Sequence, residues 1–397
     1  MMKLAVIFES SPFDRKGLFN AVHNRILHMT GAGECEVDVY CVHSRDNAFT
    51  RSIRHTPHAP ETDCVRIDGI RYNMLWYRFS ITDYVLTEKF HKRPIFFERF
   101  ADASVRKLEG YTAVVAHSFT GGLLAYKASR MYGIPYYVTW HGSDIHTHPW
   151  RIPVILEDTR AVMENAECNF FVSDALKQAS DKITLNAAKD VLYNGVSESF
   201  FRKDPDVVAG LRVKYGLKPE DKVVCFAGNL IPVKNVGVLA PLFAKIASLY
   251  HGSLKFWIAG DGKMRAQTED DIRQCDALRG HEVRFWGNVP ADEMPSLMNC
   301  IDVLVLPSLN EGLPLVCAEA IRCGANVVGS AVGGVPEVIG HENTSPLGEG
   351  LVDSIAERAV QMLENDVVQL VPEEMDWNRT ASKEYCVLRK LEAFRKP

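Results

Sequence analysis

The feature of this 397-residue sequence that most limits its fold is the alternation of short apolar runs with amphipathic stretches. Many runs are apolar at nearly every position, as expected for parallel strands covered on both faces. The predicted strands are Leu4–Phe8, Val37–Val42, Ala113–His117, Tyr136–His141, Asn169–Val172, Val223–Ala227, Phe256–Ala259, Val283–Trp286, Val303–Leu306 and Asn326–Gly329. Helical patterns separate them, such as Phe19, Val22, Ile26 and Met29. Repeated strand–helix–strand units indicate a doubly wound α/β fold.

The strand pattern restarts near Val223, which divides the chain into two halves. The preceding segment Glu198–Lys222 contains no strong strand pattern. We therefore predict one domain at 1–200, a second at 201–377 and a final helix at 378–397, and each half has an ordinary domain size. From its apolar spacing alone, the final helix could pack on either half.

Composition argues against several classes of protein. The net charge of −5 and the pI of about 6.2 disfavour a broad nucleic-acid-binding surface, which needs excess positive charge. No apolar run approaches the roughly 20 residues that span a bilayer, and Leu4–Phe8 is too short for a signal peptide core. The ten cysteines contain no CxxC pair, so we expect reduced thiols in a cytoplasmic protein.

The most informative stretch is Pro307–Ala320, which follows the predicted strand Val303–Leu306. In a doubly wound sheet, ligands bind at the carboxyl ends of strands, and a helix start offers N–H groups to phosphate. Glu311 lies in the loop and Glu319 lies in the predicted helix, where both carboxylates can accept hydrogen bonds from sugar hydroxyls. The alternative is a capping glutamate and a solvated glutamate on an ordinary helix.

Glu311 and Glu319, with Gly-Leu-Pro between them, resemble the signature of the retaining GT-B glycosyltransferases of family 4. Shorter motifs extend this resemblance over nearly the whole chain. They are Ser10-Ser11-Pro12 with Lys16-Gly17, Ala116-His117-Ser118 with Gly121-Gly122, His141-Gly142-Ser143-Asp144, Val172-Ser173, Asn194-Gly195-Val196, Ala227-Gly228-Asn229 with Lys234, Ala259-Gly260-Asp261-Gly262 and Gly287-Asn288-Val289. The resemblance implies two Rossmann-like domains facing a central cleft, with the last helix packing back on the first domain.

For the second domain, the resemblance implies a nucleotide-sugar site. Glu319 would hold the ribose hydroxyls, Glu311 the hexose hydroxyls and Lys234 the departing diphosphate, although a lysine there could also be an ordinary surface residue. The other implied donor-binding residues are Gly17, Asn229, Gly287, Asn288, Val289, Gly312, Leu313, Leu315 and Val316. The family commonly has Arg where Asn229 stands, and Lys16 is a candidate to replace that charge.

For the first domain, the resemblance implies that His141 contacts the transferred sugar near the reacting carbon. The alternative is a histidine whose ring is satisfied by backbone groups at a strand end. Three further residues are assigned to the acceptor side or to supporting roles together with Lys16. They are His117, Ser118 and Asp144.

Ser118 also raises the alternative of an α/β hydrolase. The residues around it resemble a nucleophile elbow, in which an exposed serine stands between a strand and a helix. However, Ala116 and Thr120 stand where that motif requires glycines. This interpretation also leaves the second half of the chain unexplained.

Other nucleotide and metal motifs are incomplete in this sequence. Gly260-Asp261-Gly262 does not complete GxGxxG because Arg265 stands at the last position, so we interpret it as a strand-to-helix turn. There is no GxxxxGK[ST], and His281-Glu282 lacks the second histidine of a zinc protease.

The predicted function is retaining transfer of a hexosyl unit from a nucleoside diphosphate sugar to an acceptor hydroxyl. UDP-sugars are the first expectation and GDP-mannose the second, with no cofactor and no metal, in bacterial surface polysaccharide or glycolipid synthesis. The alternatives are a GT-B sugar-nucleotide epimerase and a non-catalytic nucleotide-sugar binder.

The segment Lys89–Phe100 combines five basic residues with four phenylalanines, which could contact an anionic membrane or form an ordinary amphipathic surface helix.

Overall fold

The computed structural model describes residues 2–13, 17–31, 35–45, 60–78, 80–365 and 367–393. Its strands are β1 Met2–Glu9, β2 Cys35–Ser44, β3 Cys64–Ile67, β4 Ile70–Tyr77, β5 Ala113–His117, β6 Tyr136–Trp140, β7 Cys168–Phe171, β8 Lys189–Val191, β9 Lys222–Ala227, β10 Leu254–Ala259, β11 Glu282–Gly287, β12 Val303–Leu306, β13 Asn326–Ser330 and β14 Thr344–Ser345.

The α-helices follow in the same chain order. They are α1 Leu18–Gly31, α2 Ile81–Phe90, α3 Ile95–Val105, α4 Ser118–Tyr132, α5 Ser143–His146, α6 Pro153–Asn165, α7 Asp174–Ala179, α8 Pro205–Lys214, α9 Leu239–Leu249, α10 Arg265–Gln274, α11 Met294–Met298, α12 Leu315–Arg322, α13 Val335–Ile339, α14 Leu351–Glu364 and α15 Trp377–Ala393. Among the residues described, no helix is both long enough and apolar enough to span a bilayer.

The first compact unit consists of Met1–Gly195 and Asp376–Pro397. Its eight strands lie in the order β3-β4-β2-β1-β5-β6-β7-β8, and all neighbours are parallel except the β3–β4 hairpin. Strands β1 and β5 are neighbours although they are far apart in sequence, so the winding direction reverses between them. Ligands bind at such a switch point in doubly wound sheets.

The second compact unit is Val196–Met375. Its six strands lie in the order β11-β10-β9-β12-β13-β14, and all of them are parallel. Helices α9 and α14 cover one face of this sheet, where the rings of Phe243 and Phe256 stack 4.6 Å apart in the core. The winding direction reverses between β9 and β12, which identifies a second switch point.

The chain passes from one unit to the other between Gly195 and Val196 and again between Met375 and Asp376. The predicted boundaries were at 200/201 and 377/378. The first crossing comes earlier because the Val196 N–H already donates to the Met375 carbonyl, 3.2 Å away, within the second unit. Gly195 lies so close to Trp377 that a Cβ at position 195 would be 2.5 Å from the Trp377 nitrogen.

Helix α15 completes the core of the first unit. It packs on α1, and Leu388 is fully buried in the core cluster. Glu384 forms a buried ion pair with Arg25 of α1, at 3.2 Å between Nη1 and Oε1, and also accepts a hydrogen bond from the Tyr137 hydroxyl at 3.2 Å. Arg25 donates in addition to Asn194 at 2.9 Å. The pKa of Glu384 is raised by burial, which Arg25 partly offsets.

Each predicted strand is present, with ends that differ by up to two residues. The β3–β4 hairpin was not predicted, although its turn is Asp68-Gly69 and both residues have the positive φ of a two-residue hairpin turn, 48° and 80°. Strand β6 ends at Trp140, one residue earlier than predicted, so His141 lies in the loop that follows.

Candidate active site

Lys234 and Glu311 form an ion pair at the carboxyl edge of the second sheet. Lys234 lies in a short turn after β9, and Glu311 lies in the loop after β12, so the two flank the switch point. The distance from Lys234 Nζ to Glu311 Oε1 is 2.6 Å, and the Ser308 hydroxyl donates to the same oxygen, also at 2.6 Å. The side chains are 19% and 10% exposed, so a ligand can still reach them.

Backbone contacts fix the loop that carries Glu311. The Leu309 N–H donates to the Val233 carbonyl at 2.8 Å, and the Ser330 hydroxyl donates to the Ser308 carbonyl at 2.6 Å. Gly333 has φ 49°, and a Cβ there would lie 1.8 Å from the Glu311 carbonyl oxygen. Only glycine fits this position without displacing the loop.

Three neighbouring strands of this sheet end at glycines with positive φ, and we call these residues the glycine row. They are Gly228 after β9 at 156°, Gly260 after β10 at 140° and Gly287 at the end of β11 at 66°. A Cβ on Gly260 would lie 1.9 Å from the Gly228 carbonyl oxygen, and the Gly260 N–H donates to the Gly287 carbonyl at 2.7 Å. Gly260 therefore lets the end of β10 approach the ends of β9 and β11 closely.

Helix α12 begins at Leu315, as the sequence predicts, and carries Glu319. Burial raises the pKa of the Glu319 carboxyl to about 7, although the residue is partly exposed. Among the residues described, no side chain or backbone group hydrogen-bonds to this carboxyl. It is thus available to accept hydrogen bonds from hydroxyl groups when ionised.

The remaining predicted donor-side residues are accessible but make few contacts of their own. Asn229 and Asn288 are exposed, and Gly312, Leu313, Leu315, Val316 and Val289 are partly exposed. The Gly312 carbonyl accepts from the Gly334 N–H at 3.0 Å, which helps to hold the loop before α12. The roles of these residues stay predictions.

His117 and His141 contact each other at the ends of neighbouring strands β5 and β6. The distance from His117 Nδ1 to His141 Nε2 is 3.2 Å. Burial lowers the pKa of both rings well below the usual value, with a further contribution from the Arg25 charge, and His141 also lowers the pKa of His117. The rings are therefore neutral near pH 7, and one donates to the other.

The Asp144 carboxylate holds the loop that follows β6. It accepts the backbone N–H groups of His141 at 3.1 Å and Gly142 at 2.8 Å. Burial raises the pKa of Asp144, and these hydrogen bonds, together with one from the Ser118 hydroxyl, partly offset the increase. The structure thus brings His117, Ser118, His141 and Asp144 together.

Ser118 has φ 59°, the left-handed conformation that a nucleophile elbow also uses. Its hydroxyl, however, bonds to the Asp144 carboxyl. In the described part of the chain, no histidine ring hydrogen-bonds to that hydroxyl, so no base is placed to activate it as a nucleophile.

Gly17 has φ 40°, and a Cβ at this position would meet no atom within 4 Å. The backbone conformation, rather than close approach of another group, therefore accounts for glycine here. Lys16 lies outside the described residues. Within the ranges that are described, no group of three or more His, Cys, Asp or Glu side chains is placed to hold a metal ion.

A cavity of about 570 Å³ lies at the opposite, amino-terminal edge of the second sheet. Its lining includes Arg202, Arg212, Asp302 and Gly324, and it contains none of the predicted site residues. In doubly wound sheets the chemistry is located at the carboxyl edge, so we assign the site there and not to this cavity.

Several residues of the site were not predicted. The Ser308 hydroxyl donates to Glu311, and the Ser330 hydroxyl donates to the Ser308 carbonyl. Gly333 leaves room for the Glu311 backbone beside it. The Gly-Gly pair at 333–334 before a helix was a visible signal for a close backbone contact. No local pattern marks Ser330, because its partner is 22 residues away.

Comparison with known proteins matches each of the two units to a glycosyltransferase family model. Residues 21–195 match the family model of the glycosyl transferase 4-like domain, and residues 209–384 match that of glycosyl transferases group 1. N-acetyl-alpha-D-glucosaminyl L-malate synthase of Bacillus anthracis is 28% identical over 257 residues, which are 64% of this chain and 65% of that protein. The matched regions span 65% or less of the first three curated relatives.

Solved structures share the fold over nearly the full length. HepE of Anabaena, in complex with UDP and glucose, has a TM-score of 0.67 at 16% identity and covers 99% of this chain and 98% of its own. WaaG, a glycosyltransferase involved in lipopolysaccharide biosynthesis, has a TM-score of 0.64 at 17% identity and covers 98% and 99%. With two Rossmann-like units and a match to both family models, the chain belongs to glycosyltransferase family 4, whose enzymes have the GT-B fold.

Proposed function

We propose that the protein transfers a hexosyl unit from a nucleoside diphosphate sugar to an acceptor hydroxyl. The second unit would bind the donor, and the first unit would supply His141 and bind the acceptor. The observation that carries this proposal is the Lys234–Glu311 ion pair, which places a cation and a carboxylate together at the switch point. A diphosphate needs the cation, and sugar hydroxyls need the carboxylate.

The ion pair suits a leaving diphosphate for a physical reason. Lys234 is held by Glu311 through one oxygen, which Ser308 also contacts, so its ammonium is positioned before any ligand arrives. A preorganised charge has little to reorganise when negative charge develops on the departing phosphate. Glu311 keeps its second carboxylate oxygen for the hexose, and Glu319 contacts the ribose.

The neutral His141 ring fits contact with an uncharged sugar. Burial and the Arg25 charge lower the pKa of His141, so its ring is uncharged near pH 7. An uncharged ring does not repel the positive charge that develops on an oxocarbenium-like sugar, and it needs no deprotonation before the sugar binds. We propose that the sugar is transferred with retention, and that the leaving phosphate takes the acceptor proton. Anomeric inversion in the NMR spectrum of the product would exclude retention.

UDP-sugars are the first proposed donors and GDP-mannose the second. Support comes from HepE, whose crystal structure contains UDP and glucose and shares this fold. We also propose that transfer requires no metal ion, because Lys234 provides charge for the diphosphate. The measurement is turnover in EDTA, where a large loss that Mg²⁺ or Mn²⁺ restores would contradict this part.

The acceptor is proposed to be a glycan or lipid-linked intermediate of bacterial surface polysaccharide synthesis, on the cytoplasmic side of the membrane. The opening Ser10-Ser11-Pro12 and the following Lys-Gly resemble enzymes of that kind. WaaG, a structural neighbour, is involved in lipopolysaccharide biosynthesis. Extracts of lipid-linked glycans, fractionated and offered with the donor, would identify the acceptor.

The test of the central proposal is product analysis with a panel of UDP-, GDP-, ADP- and TDP-sugars, with and without acceptors. Transfer that depends on Lys234 supports the proposal. Lys234→Ala should abolish it, whereas Lys245→Ala, which removes an exposed lysine paired with Asp353 in the same unit, should not. Formation of an epimer without acceptor would support the epimerase alternative, and binding without turnover would support the non-catalytic one.

We also propose peripheral contact with an anionic membrane through helices α2 and α3. Two phenylalanines of this region are outward facing, Phe90 at 61% and Phe96 at 39% exposed, and lysines and arginines lie among them. Phe97 and Phe100 instead pack inward on the Tyr77 ring, at 5.4 and 5.5 Å. Exposed aromatic and cationic side chains together favour anionic lipid surfaces.

The membrane proposal is tested by co-sedimentation with vesicles that contain anionic lipid. Binding should fall several-fold in a Phe90→Ser, Phe96→Ser double variant. The control is Leu185→Ser, which removes another exposed apolar side chain of the same unit. Absence of binding to anionic vesicles by the unmodified protein would exclude this contact.

A further inference from the structure

We infer that Arg265 recognises the nucleobase of the donor and selects bases that present a carbonyl oxygen, such as uracil and guanine, over adenine. This inference rests on the proposed donor site in the second unit. It concerns a residue that belongs to none of the motifs assigned to substrate contact above.

Arg265 lies at one end of the glycine row. It is the first residue of α10, directly after the turn that follows β10. Its Nη1 atom would be 3.2 Å from a Cβ placed on Gly287. Apart from its chain neighbours, no other described residue lies within 4 Å of that Cβ position, so the Arg265 guanidinium is the group that faces Gly287.

Lys234 lies at the other end of the same row. Its Cε atom would be 3.9 Å from a Cβ placed on Gly228. Gly228 and Gly287 are separated by one strand, so the two glycines are roughly 10 Å apart, at about 4.8 Å per strand. A nucleotide extended along the row would then place its phosphates near Lys234 and its base near Arg265.

Two carboxylates hold the guanidinium in one orientation. Arg265 Nε donates to Glu269 Oε1 at 2.8 Å, and Nη1 donates to Asp261 Oδ2 at 3.2 Å. Arginine has five N–H donors, so three remain: one on Nη1 and two on Nη2. No described residue accepts from these three, and the side chain is 35% exposed.

The local charge favours a neutral ligand over a phosphate. One arginine and two carboxylates sum to a negative charge, which would repel a diphosphate. The remaining donors lie in one plane and match the acceptors on the edge of a flat heterocycle. Uracil and guanine carry carbonyl oxygens at such an edge, whereas adenine carries none.

The position of Arg265 is also unfavourable for the helix itself. A cation in the first turn of a helix is repelled by the positive end of the helix dipole. Asp261 and Glu269 offset this repulsion. A residue that departs from the local preference of its helix position is a candidate for function.

The test is calorimetric titration of the full chain with UDP, GDP and ADP. The unmodified protein should bind a carbonyl-bearing base more tightly than adenine. Arg265→Met should weaken that binding roughly tenfold and leave ADP unchanged, because a charge-assisted hydrogen bond is lost. Arg265→Lys should behave like the Met variant, since lysine keeps the charge but not the planar donors.

The matched control is Arg273→Met, which removes an exposed arginine of the same helix that is paired with Asp270. Thermal unfolding of each variant verifies that the fold is intact. Equal weakening of all three nucleotides by Arg265→Met, no weakening at all, or tighter binding of ADP by the unmodified protein would each overturn the inference. If the unmodified protein binds no nucleotide or nucleotide sugar, the donor site itself is wrong and the inference is overturned with it.

Discussion

Each unit of this protein contains an ion pair that joins distant parts of its chain, and the two pairs differ in access to solvent. Arg25 and Glu384 are 1% and 0% exposed, and the other polar contacts of Arg25 with described residues also lie inside the first unit. Lys234 and Glu311 are 19% and 10% exposed and lie at the carboxyl edge of a sheet. The first pair is closed to ligands, whereas the second remains open to them.

This difference shows that similar chemistry can serve different purposes. A fully buried pair repays its desolvation only if both partners are present, so it contributes to one specific arrangement of the core. A partly exposed pair at a strand edge can exchange one partner for a ligand of the same charge. We therefore interpret the Arg25–Glu384 pair as structural, and the Lys234–Glu311 pair remains the one for which we propose a function.

The largest expected effect is a loss of stability when the buried Arg25–Glu384 pair is broken. Arg25→Met should lower the free energy of unfolding of the first unit by about 3–5 kcal/mol, because Glu384 is left as an uncompensated buried carboxylate. Urea unfolding measures this change. Arg45→Met, which breaks an exposed pair with Glu61, should cost less than about 1 kcal/mol. Equal effects of the two variants would contradict the distinction.

The next largest effect is a loss of turnover when the partly exposed Lys234–Glu311 pair is broken. Glu311→Gln should lower kcat by about 100- to 1000-fold, as for loss of a group that positions charge for the transition state. The unfolding midpoint should change little, since the pair is partly exposed. Asp353→Asn, which breaks an exposed pair with Lys245, is the control. Near-normal turnover of Glu311→Gln would refute the role of Glu311.

A smaller effect follows from moving the loop that carries Glu311. Gly333→Ala should destabilise the second unit by about 1–3 kcal/mol and lower turnover as well, because a Cβ would overlap the Glu311 carbonyl and the φ is positive. Thermal unfolding and kinetic assays of the same variant test both parts. Gly350→Ala, where a Cβ meets no atom within 4 Å, should be neutral in comparison.

The smallest effect concerns Glu319, whose carboxyl forms no ion pair or hydrogen bond with any described residue. Its pKa is raised from 4.5 to about 7, so the folded state binds the proton more tightly than the unfolded state does. This contribution to stability is therefore complete below about pH 4.5, declines as the pH rises towards 7, and is absent above that. Glu319→Gln should remove this dependence and stabilise the protein at pH 8 by about 1–2 kcal/mol.

Urea unfolding of both proteins across pH 4.5 to 8 provides the measurement. Nucleotide affinity should show the opposite trend and increase through pH 7, because the ionised carboxylate accepts the ribose hydroxyls. Parallel stability curves for the two proteins would contradict the raised pKa.

Much of the fold followed from sequence because buried parallel strands are short, continuous and apolar. Val303–Leu306 was predicted with the observed ends, and α12 after it was predicted from its alanine-rich apolar face. The loop between β12 and α12 was recognised as a candidate site because a proline, a glutamate and a predicted helix start occur within a few residues of one another. The Asp68-Gly69 hairpin was missed although its turn residues are a strong local signal.

Other features could not be predicted because they depend on contacts between distant residues. Arg25 and Glu384 are 359 positions apart, and neither lies in a pattern that marks it as buried and charged. The Lys234–Glu311 contact joins residues 77 positions apart across a strand crossover. His117 and His141 were each placed at a strand end, but their ring contact depends on β5 and β6 being neighbours.

The return of α15 to the first unit has a consequence for the order of events on the ribosome. All of the second unit, Val196–Met375, is synthesised as one continuous stretch and can complete its core as soon as it emerges. The first unit emerges earlier but must wait for Glu384 and Leu388, so the Arg25 guanidinium stays without its carboxylate meanwhile. The half made first is therefore the half finished last.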